Sequence, residues 1–368
     1  VKAPANTDVV VKNGNDAPAQ TVKSDDANAA VVMPKDPTKP TYVTNVAAGK
    51  VVEANGVKFY PNSETVQTPL PNGLDGEGVN KAEISEGNKT HFNGKDVTAD
   101  KGMITIDKTA ADKPFINVPN GGQVSIGADN TIKADSQDIK LYPKDDTIKA
   151  EIPENGKLTV NGKEFTAKDA DTVVTLPGTL DSGKVNIPAG GSVSVNGKEI
   201  TVGSGAVDVS KDGNATKVEL PKNTTATIGG DTIKTGANNQ GGNIIVKQPD
   251  GEEKTTITVP KKGDTFTWNG KEYVAEKDGQ VFVVGADGNV EAFEPKVIGK
   301  TSDSLTFEGK PGKKYEITKN GTAVTGATIT EIRDGVYEVT GLEKDTEYKI
   351  SHPQYGYTTA KTSQASAE

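Results

Sequence analysis

The sequence predicts an all-β chain built from tandem hairpins, and three observations carry that reading. First, a segment centred on an Asn-Gly or similar turn recurs along the chain. Second, Val, Ile and Thr alternate with polar residues around each turn, the two-residue period of a half-buried strand. Third, residues 45–295 contain no convincing 3.6-residue apolar period, so nothing in them reads as an amphipathic helix.

The recurrence is clearest where Ile152-Pro-Glu-Asn-Gly-Lys-Leu-Thr-Val-Asn-Gly-Lys-Glu-Phe-Thr is set against Ile187-Pro-Ala-Gly-Gly-Ser-Val-Ser-Val-Asn-Gly-Lys-Glu-Ile-Thr. A third copy runs from Val259-Pro260 to Trp268-Asn-Gly-Lys-Glu-Tyr273 with one extra residue, and weaker copies begin at Val118-Pro119 and Leu220-Pro221. With the upstream copies the turns fall at 55, 93, 127, 161, 196, 229 and 269, so the intervals are 38, 34, 34, 35, 33 and 40 residues. Such regularity is the signature of a repeat architecture. Within each copy, Asn-Gly supplies the two positive-φ positions of a type I′ hairpin turn. The proline near the start has no N–H for a ladder, so it marks the corner between one strand pair and the next. A second pair follows the hairpin, as in Val207-Asp-Val209 with Val218-Glu-Leu220, giving about four strands per repeat. Seven repeats of about 34 residues in an elongated array is the expected arrangement. A row of separately folded modules and a closed propeller remain open.

Composition fits thin cores better than one large one: hydrophobic residues make up 33% of 368 and aromatics 5%, with 41 Gly and 20 Pro. The net charge of −9 is interspersed, and Arg333 is the only arginine. A chain so poor in the residue best suited to phosphate and base recognition is not expected to bind nucleic acid. No apolar run approaches the ~18 residues of a membrane span. Cysteine is absent, which excludes disulfides and thiolate chemistry and suits a surface protein of bacterial type.

The two ends differ from the array. Residues 1–44 are rich in Pro, Asp, Asn, Ala and Lys, with Val9-Val10-Val11 and Val31-Val32 as apolar runs. They read as an arm, either flexible or donating a strand to a neighbouring subunit's sheet edge. Deleting the arm is then expected to abolish assembly and leave the array folded. Residues 296–363 carry Ser304-Leu305-Thr306-Phe307, Lys314-Tyr315-Glu316-Ile317 and Val336-Tyr337-Glu338-Val339-Thr340-Gly341-Leu342-Glu343-Lys344-Asp345-Thr346-Glu347-Tyr348-Lys349-Ile350. The last stretch resembles the E–F corner of a fibronectin type III domain, with Leu342 and Tyr348 at the leucine and tyrosine-corner spacing. The resemblance implies a small β-sandwich working in extracellular spacing or adhesion, with the Tyr348 hydroxyl tied back to backbone. The segment is short and lacks a core tryptophan near Phe307, which points to a missing or trimmed strand. Residues 364–368 read as a tail. The chain as a whole is similar in style to repeat-rich bacterial cell-surface and filament proteins.

Candidate chemistry is sparse. His91 and His352 are far apart, and a catalytic triad or histidine metal site needs more partners than two. Carboxylate pairs such as Asp145-Asp146 and Asp169 with Asp171 lack the aromatic platforms of a sugar-cleaving cleft, so the chain is not expected to be an enzyme. Calcium is the one cofactor with candidate ligands, in the acidic turns Asp212-Gly-Asn214, Asp250-Gly-Glu252 and Asp287-Gly-Asn289. The expected function is an extracellular or cell-surface structural protein, self-associating into a filament, sheath, surface layer or stalk. The alternative is an adhesin for a glycan or host matrix, with Trp268 and Tyr273 as the aromatic platform. Against that stands a second role for the aromatic seventh repeat, capping the array against the following domain.

Overall fold

The computed structural model describes residues 1–12, 18–249 and 254–365. The described residues form strands joined by turns, with a single three-residue 3-10 turn at Gly73–Asp75 and no α-helix. The chain divides into two compact units, one of residues 1–187 and 191–195, the other of residues 188–190 and 196–368. The division falls inside the hairpin array, beside the Asn196-Gly197 turn.

In the first unit one sheet runs through Val9–Val11, Gln20–Ser24, Val52–Ala54, Val57–Pro61, Val79–Ile84, Ile104–Asp107, Phe115–Val118, Ile139–Lys144, Thr147–Ile152, Thr172–Thr175 and Thr179–Ser182, each strand antiparallel to the next. A second sheet runs through Lys89–Phe92, Lys95–Lys101, Gln123–Ile126, Asn130–Ala134, Lys157–Val160, Lys163–Ala167 and Lys184–Pro188. The chain lays one hairpin in the second sheet, crosses, lays one in the first, and crosses back. A 34-residue period therefore contains two hairpins, one per sheet. In each sheet the second strand of one hairpin pairs with the first strand of the next, except that the single strand Val79–Ile84 stands between two hairpins of the first sheet. The ladder is thus continuous from repeat to repeat, and the repeats of a unit are not separately folded modules.

Side chains follow from this geometry. Strands such as Gln123–Ile126 and Lys157–Val160 bury every second residue, so Val124, Ile132, Leu158 and Phe165 point inward with no exposure. Phe92, Val97 and Ile126 of one sheet meet Ile116 and Ile148 of the other around a common small cavity. Complete burial of a Val, Ile or Phe stabilises by about 1.5–3 kcal/mol, which lets small aliphatic residues support a thin core.

The prolines sit where expected: Pro119, Pro153, Pro221 and Pro260 directly follow the strands ending at Val118, Ile152, Leu220 and Val259. The turns also match. Asn55, Asn93, Asn161, Asn196 and Asn269 have φ between 48° and 52°, and the glycine after each is also positive. Asparagine does a second job that its turn preference does not reveal. Asn161 accepts the Thr131 amide on Oδ1 at 2.8 Å and donates from Nδ2 to the Asp129 carbonyl at 2.9 Å, both in the preceding hairpin. Asn269 accepts the Thr232 amide at 2.8 Å and donates to Asp231 Oδ1, and Asn55 accepts the Thr21 amide at 3.0 Å. Asn161→Gly keeps the backbone conformation but loses the clamp, so about 1 kcal/mol of stability is expected to go. Asn161→Ala is expected to lose roughly 1 kcal/mol more, because a Cβ at positive φ is strained. Urea melts of the two variants check the order.

The N-terminal residues are not a free arm. Val9–Val11 pairs with Gln20–Ser24, which pairs with Val52–Ala54, so they begin the first sheet. Ala30–Val32, Tyr42–Thr44 and Thr68–Pro69 form a small third sheet, in which Val31 and Val43 are buried. Deleting residues 1–44 would therefore remove Val22, Val31 and Val43 from the core and bare the edge of Val52–Ala54; the array is not expected to survive it intact. Asp26 holds this region together. Its carboxylate accepts the Ala47 and Asn28 amides, each at 2.9 Å. Those bonds, the Ala47 one first, hold its pKa below the ordinary 3.8. Stability from this group is complete above the ordinary value and is lost as pH falls through the lower folded one. Thermal melts in acid are expected to show this loss in the wild type and a flatter dependence in Asp26→Asn.

In the second unit Lys198–Ser204, Thr225–Ile228, Asp231–Thr235, Thr265–Trp268 and Lys271–Val274 form one antiparallel sheet. Ala206–Asp212, Ala215–Leu220, Ile244–Pro249, Thr256–Val259, Gln280–Val284 and Val290–Phe293 form the other. The hairpin rule of the first unit holds here too. Behind it stands a two-sheet sandwich. One sheet has the order Lys296–Lys300, Leu305–Glu308, Val336–Thr340, Thr328–Arg333; the other has Thr322–Ala323, Glu316–Lys319, Glu347–His352, Gly356–Lys361. The sandwich has eight strands, four in each sheet.

Candidate functional site

The Asn269-Gly270 hairpin and the sandwich after it hold nine of the chain's 18 Phe, Trp and Tyr residues. Hairpin pairing puts Phe266 opposite Tyr273 and Trp268 opposite Lys271. The Phe266 and Tyr273 rings stack at 5.2 Å, and Phe282 of the facing sheet meets Phe266 edge-on at 5.1 Å. Trp268 is 2% exposed. A sugar needs an open aromatic face, so Trp268 offers no platform; Tyr273 is half-buried against Phe266 with Lys271 near its ring.

Phe293, at the end of the last array hairpin, packs edge-on against Tyr355 of the sandwich at 5.6 Å, with Val281 and Val283 beside them. The Lys277 ammonium lies 4.0 Å from the Tyr357 ring centroid, donates to the Tyr357 carbonyl and pairs with Glu294. Lys310 covers Phe293 at 4.6 Å. A Cβ on Gly356, which has φ +77, would stand 2.4 Å from the Phe293 carbonyl oxygen, so the backbones meet directly there. The aromatic residues of this stretch thus close the array against the next domain. Tyr355, Gly356, Tyr357 and Lys277 escaped the sequence reading, although Tyr-Gly-Tyr so near the last strand was a usable signal.

In the sandwich, Phe307 stacks on Tyr337 and meets Tyr315 edge-on, every pair of the three rings being 5.1 Å apart. Burial pushes the Tyr315 hydroxyl up to about 12. That hydroxyl accepts the Lys310 amide, and Tyr337 accepts the Lys313 amide while donating to the Lys310 carbonyl. Glu331 accepts the Gly312 and Gly335 amides, which hold its pKa low. Leu342 is buried, and the buried Tyr348 accepts the Glu343 amide on its hydroxyl at 2.8 Å.

The acidic turns do not converge. Asp212 pairs with Lys247 at 3.2 Å. Asp287 accepts the Asn289 amide on one oxygen and its side-chain N–H on the other, and the amide lowers its pKa. Asn214 lies in the exposed turn after Asp212, and Asp250 and Glu252 lie outside the described residues. Among the described residues no group of three His, Asp or Glu side chains stands close enough to hold a metal ion. His91 sits 3.3 Å from Asp96 on the neighbouring strand, and His352 accepts the Gln354 amide on Nδ1 within the Tyr315 and Tyr355 cluster. Of the N-terminal assembly candidates, Val11 and Val31 are buried, Val9 and Val32 half-buried, and Val10 is 69% exposed. No helix among the described residues is long and apolar enough to cross a membrane. No protein-family profile, curated protein or solved structure matches the chain.

Proposed function

We propose that the chain is an extracellular structural protein that self-associates into a filament, sheath or surface layer. The observation that carries the reading is the hairpin-to-hairpin ladder within each unit, in which Asn55, Asn161 and Asn269 bond their hairpin to the one before. Such an array resists local opening because each hairpin is held on both sides, and it offers extent rather than a reaction centre. The absence of cysteine and the interspersed charges support work outside the cell, where redox state varies and solubility matters.

The C-terminal sandwich supports the same reading as a fibronectin type III-like module. In its favour are the strand order, which separates the first, second, fifth and sixth strands from the rest, and the Tyr348 hydroxyl bonded to backbone five residues upstream. Negative-stain electron microscopy of the purified chain across a concentration series is expected to show filaments, tubes or sheets. Monodisperse particles at every concentration would overturn the proposal.

A further inference from the structure

Two hairpin-sheet edges share an unusual property. Among the described residues, Val9–Val11 has a partner on one side only, Gln20–Ser24, and Lys271–Val274 has one on one side only, Thr265–Trp268. Each carries a large apolar side chain in solvent: Val10 is 69% exposed and Val274 51%. The other free edges of the hairpin sheets differ. Val290–Phe293 is covered by Tyr355 and Gly356, and Lys89–Phe92 has the Gly73–Asp75 turn beside it. An uncovered apolar edge strand is a template for another strand.

The chain's own pairing rule says which strand fits. Where one hairpin joins the next directly within a unit, the second strand of one pairs antiparallel with the first strand of the next, as Asp231–Thr235 does with Thr265–Trp268 and Asn130–Ala134 does with Lys157–Val160. Lys271–Val274 is the second strand of a hairpin without a successor. Val9–Val11 is the first strand of its hairpin, and among the described residues no strand pairs with its other edge. We infer that Lys271–Val274 of one copy accepts Val9–Val11 of a second copy, continuing the sheet from chain to chain. This rests on the structural reading above and supplies its joint.

The register follows from the existing junction, where Ile233 opposes Trp268 and Lys234 opposes Thr267. Counting three residues and four residues past the Gly229-Gly230 and Asn269-Gly270 turns alike, Tyr273 takes the place of Ile233 and Val274 that of Lys234. Val11, the last residue of its strand, takes the place of Trp268, and Val10 that of Thr267. Face parity agrees. Tyr273 lies on the inner face against Phe266, and Val11 is buried on its own inner face, one residue from the exposed Val10. Val10 and Val274 then meet on the outer face as a cross-strand apolar pair. Because the two surfaces differ, the contact is head-to-tail and can repeat without closing.

The chain has no cysteine, so a disulfide can report the register. The full-length double variant Val10→Cys, Val274→Cys, oxidised mildly, is expected to give a ladder of dimers, trimers and higher species that collapses on reduction. Either single variant is expected to stay uncross-linked, because the joint puts no second cysteine opposite the first. Val10→Cys combined with Glu272→Cys, two residues out of register, is expected to cross-link roughly tenfold less, because disulfide geometry tolerates little offset. Val10→Glu with Val274→Glu is expected to abolish assembly with an unchanged circular dichroism spectrum, and Val10→Lys with Val274→Glu to restore it. If wild-type filaments form while the matched pair cross-links no better than the mismatched one, or the double glutamate variant still assembles, the joint is wrong and the structural reading stands. If the wild type never assembles, both fall.

Discussion

Phe307→Ala is expected to cost the C-terminal sandwich about 3–5 kcal/mol, the usual loss for a fully buried phenylalanine truncated to alanine. Phe307 has no exposure, and its ring is the common neighbour of Tyr315 and Tyr337. Removing it leaves a cavity between two rings whose hydroxyls bind the Lys310 and Lys313 backbone. The damage is therefore expected to reach the loop at 310–314, beyond the core itself. Limited proteolysis should show cleavage near these lysines in the variant and protection in the wild type, with calorimetry reporting the stability loss. Phe307→Leu, which refills most of the volume, should recover more than half of it. A melting temperature within a degree of wild type for Phe307→Ala would contradict the packing described here.

Asp264→Ala is expected to cost about 3 kcal/mol, the second-largest single effect. Asp264 is 4% exposed and accepts the Gln240 amide at 2.9 Å and the Gly241 amide at 2.7 Å. Hydrogen bonds to a charged acceptor contribute about 1.5–3 kcal/mol, and stranding their donors adds desolvation cost. Asn239 assists by donating to the Thr265 carbonyl and accepting its amide. Together they fasten a loop at 236–243 that the shorter repeats lack. Amide exchange is the informative measurement: the Gln240 and Gly241 amides should become fast in Asp264→Ala, while those of Thr232 and Lys234 in the neighbouring strand stay slow. Asp264→Asn keeps one acceptor and should lie between the two.

The same loop shows what the sequence could and could not disclose. The 40-residue interval between the turns at 229 and 269 is the longest of the set, and part of its excess is this loop. That a buried Asp264 pins it was not legible, because the partners lie more than twenty residues apart and are backbone amides with no side-chain signature. Strand positions and the Asn-Gly turns were legible, because two-residue alternation and left-handed φ are local constraints. How consecutive hairpins distribute between two sheets was not, since Val193-Ser-Val195 and Val124-Ser-Ile126 look alike whichever sheet receives them. Residues 1–44 misled for a related reason. Their strands are only three to five residues long and draw their burial from partners elsewhere, so Val22 and Val43 looked too isolated to be core. Trp268 misled in the opposite way, as a lone tryptophan invites a binding role and burial alone decides it.

The asparagines at three of the turns have a consequence for how such a chain could change over time. At Asn55, Asn161 and Asn269 the residue that bends the backbone also grips the hairpin before it, and the amide it grips belongs to threonine each time. A stretch of coding sequence spanning one period would therefore bring its own fastening and its own place to be fastened. Duplicating or deleting whole periods changes the number of rungs without requiring any new fit, so length is a property this lineage could alter freely while the hairpin itself stays the same.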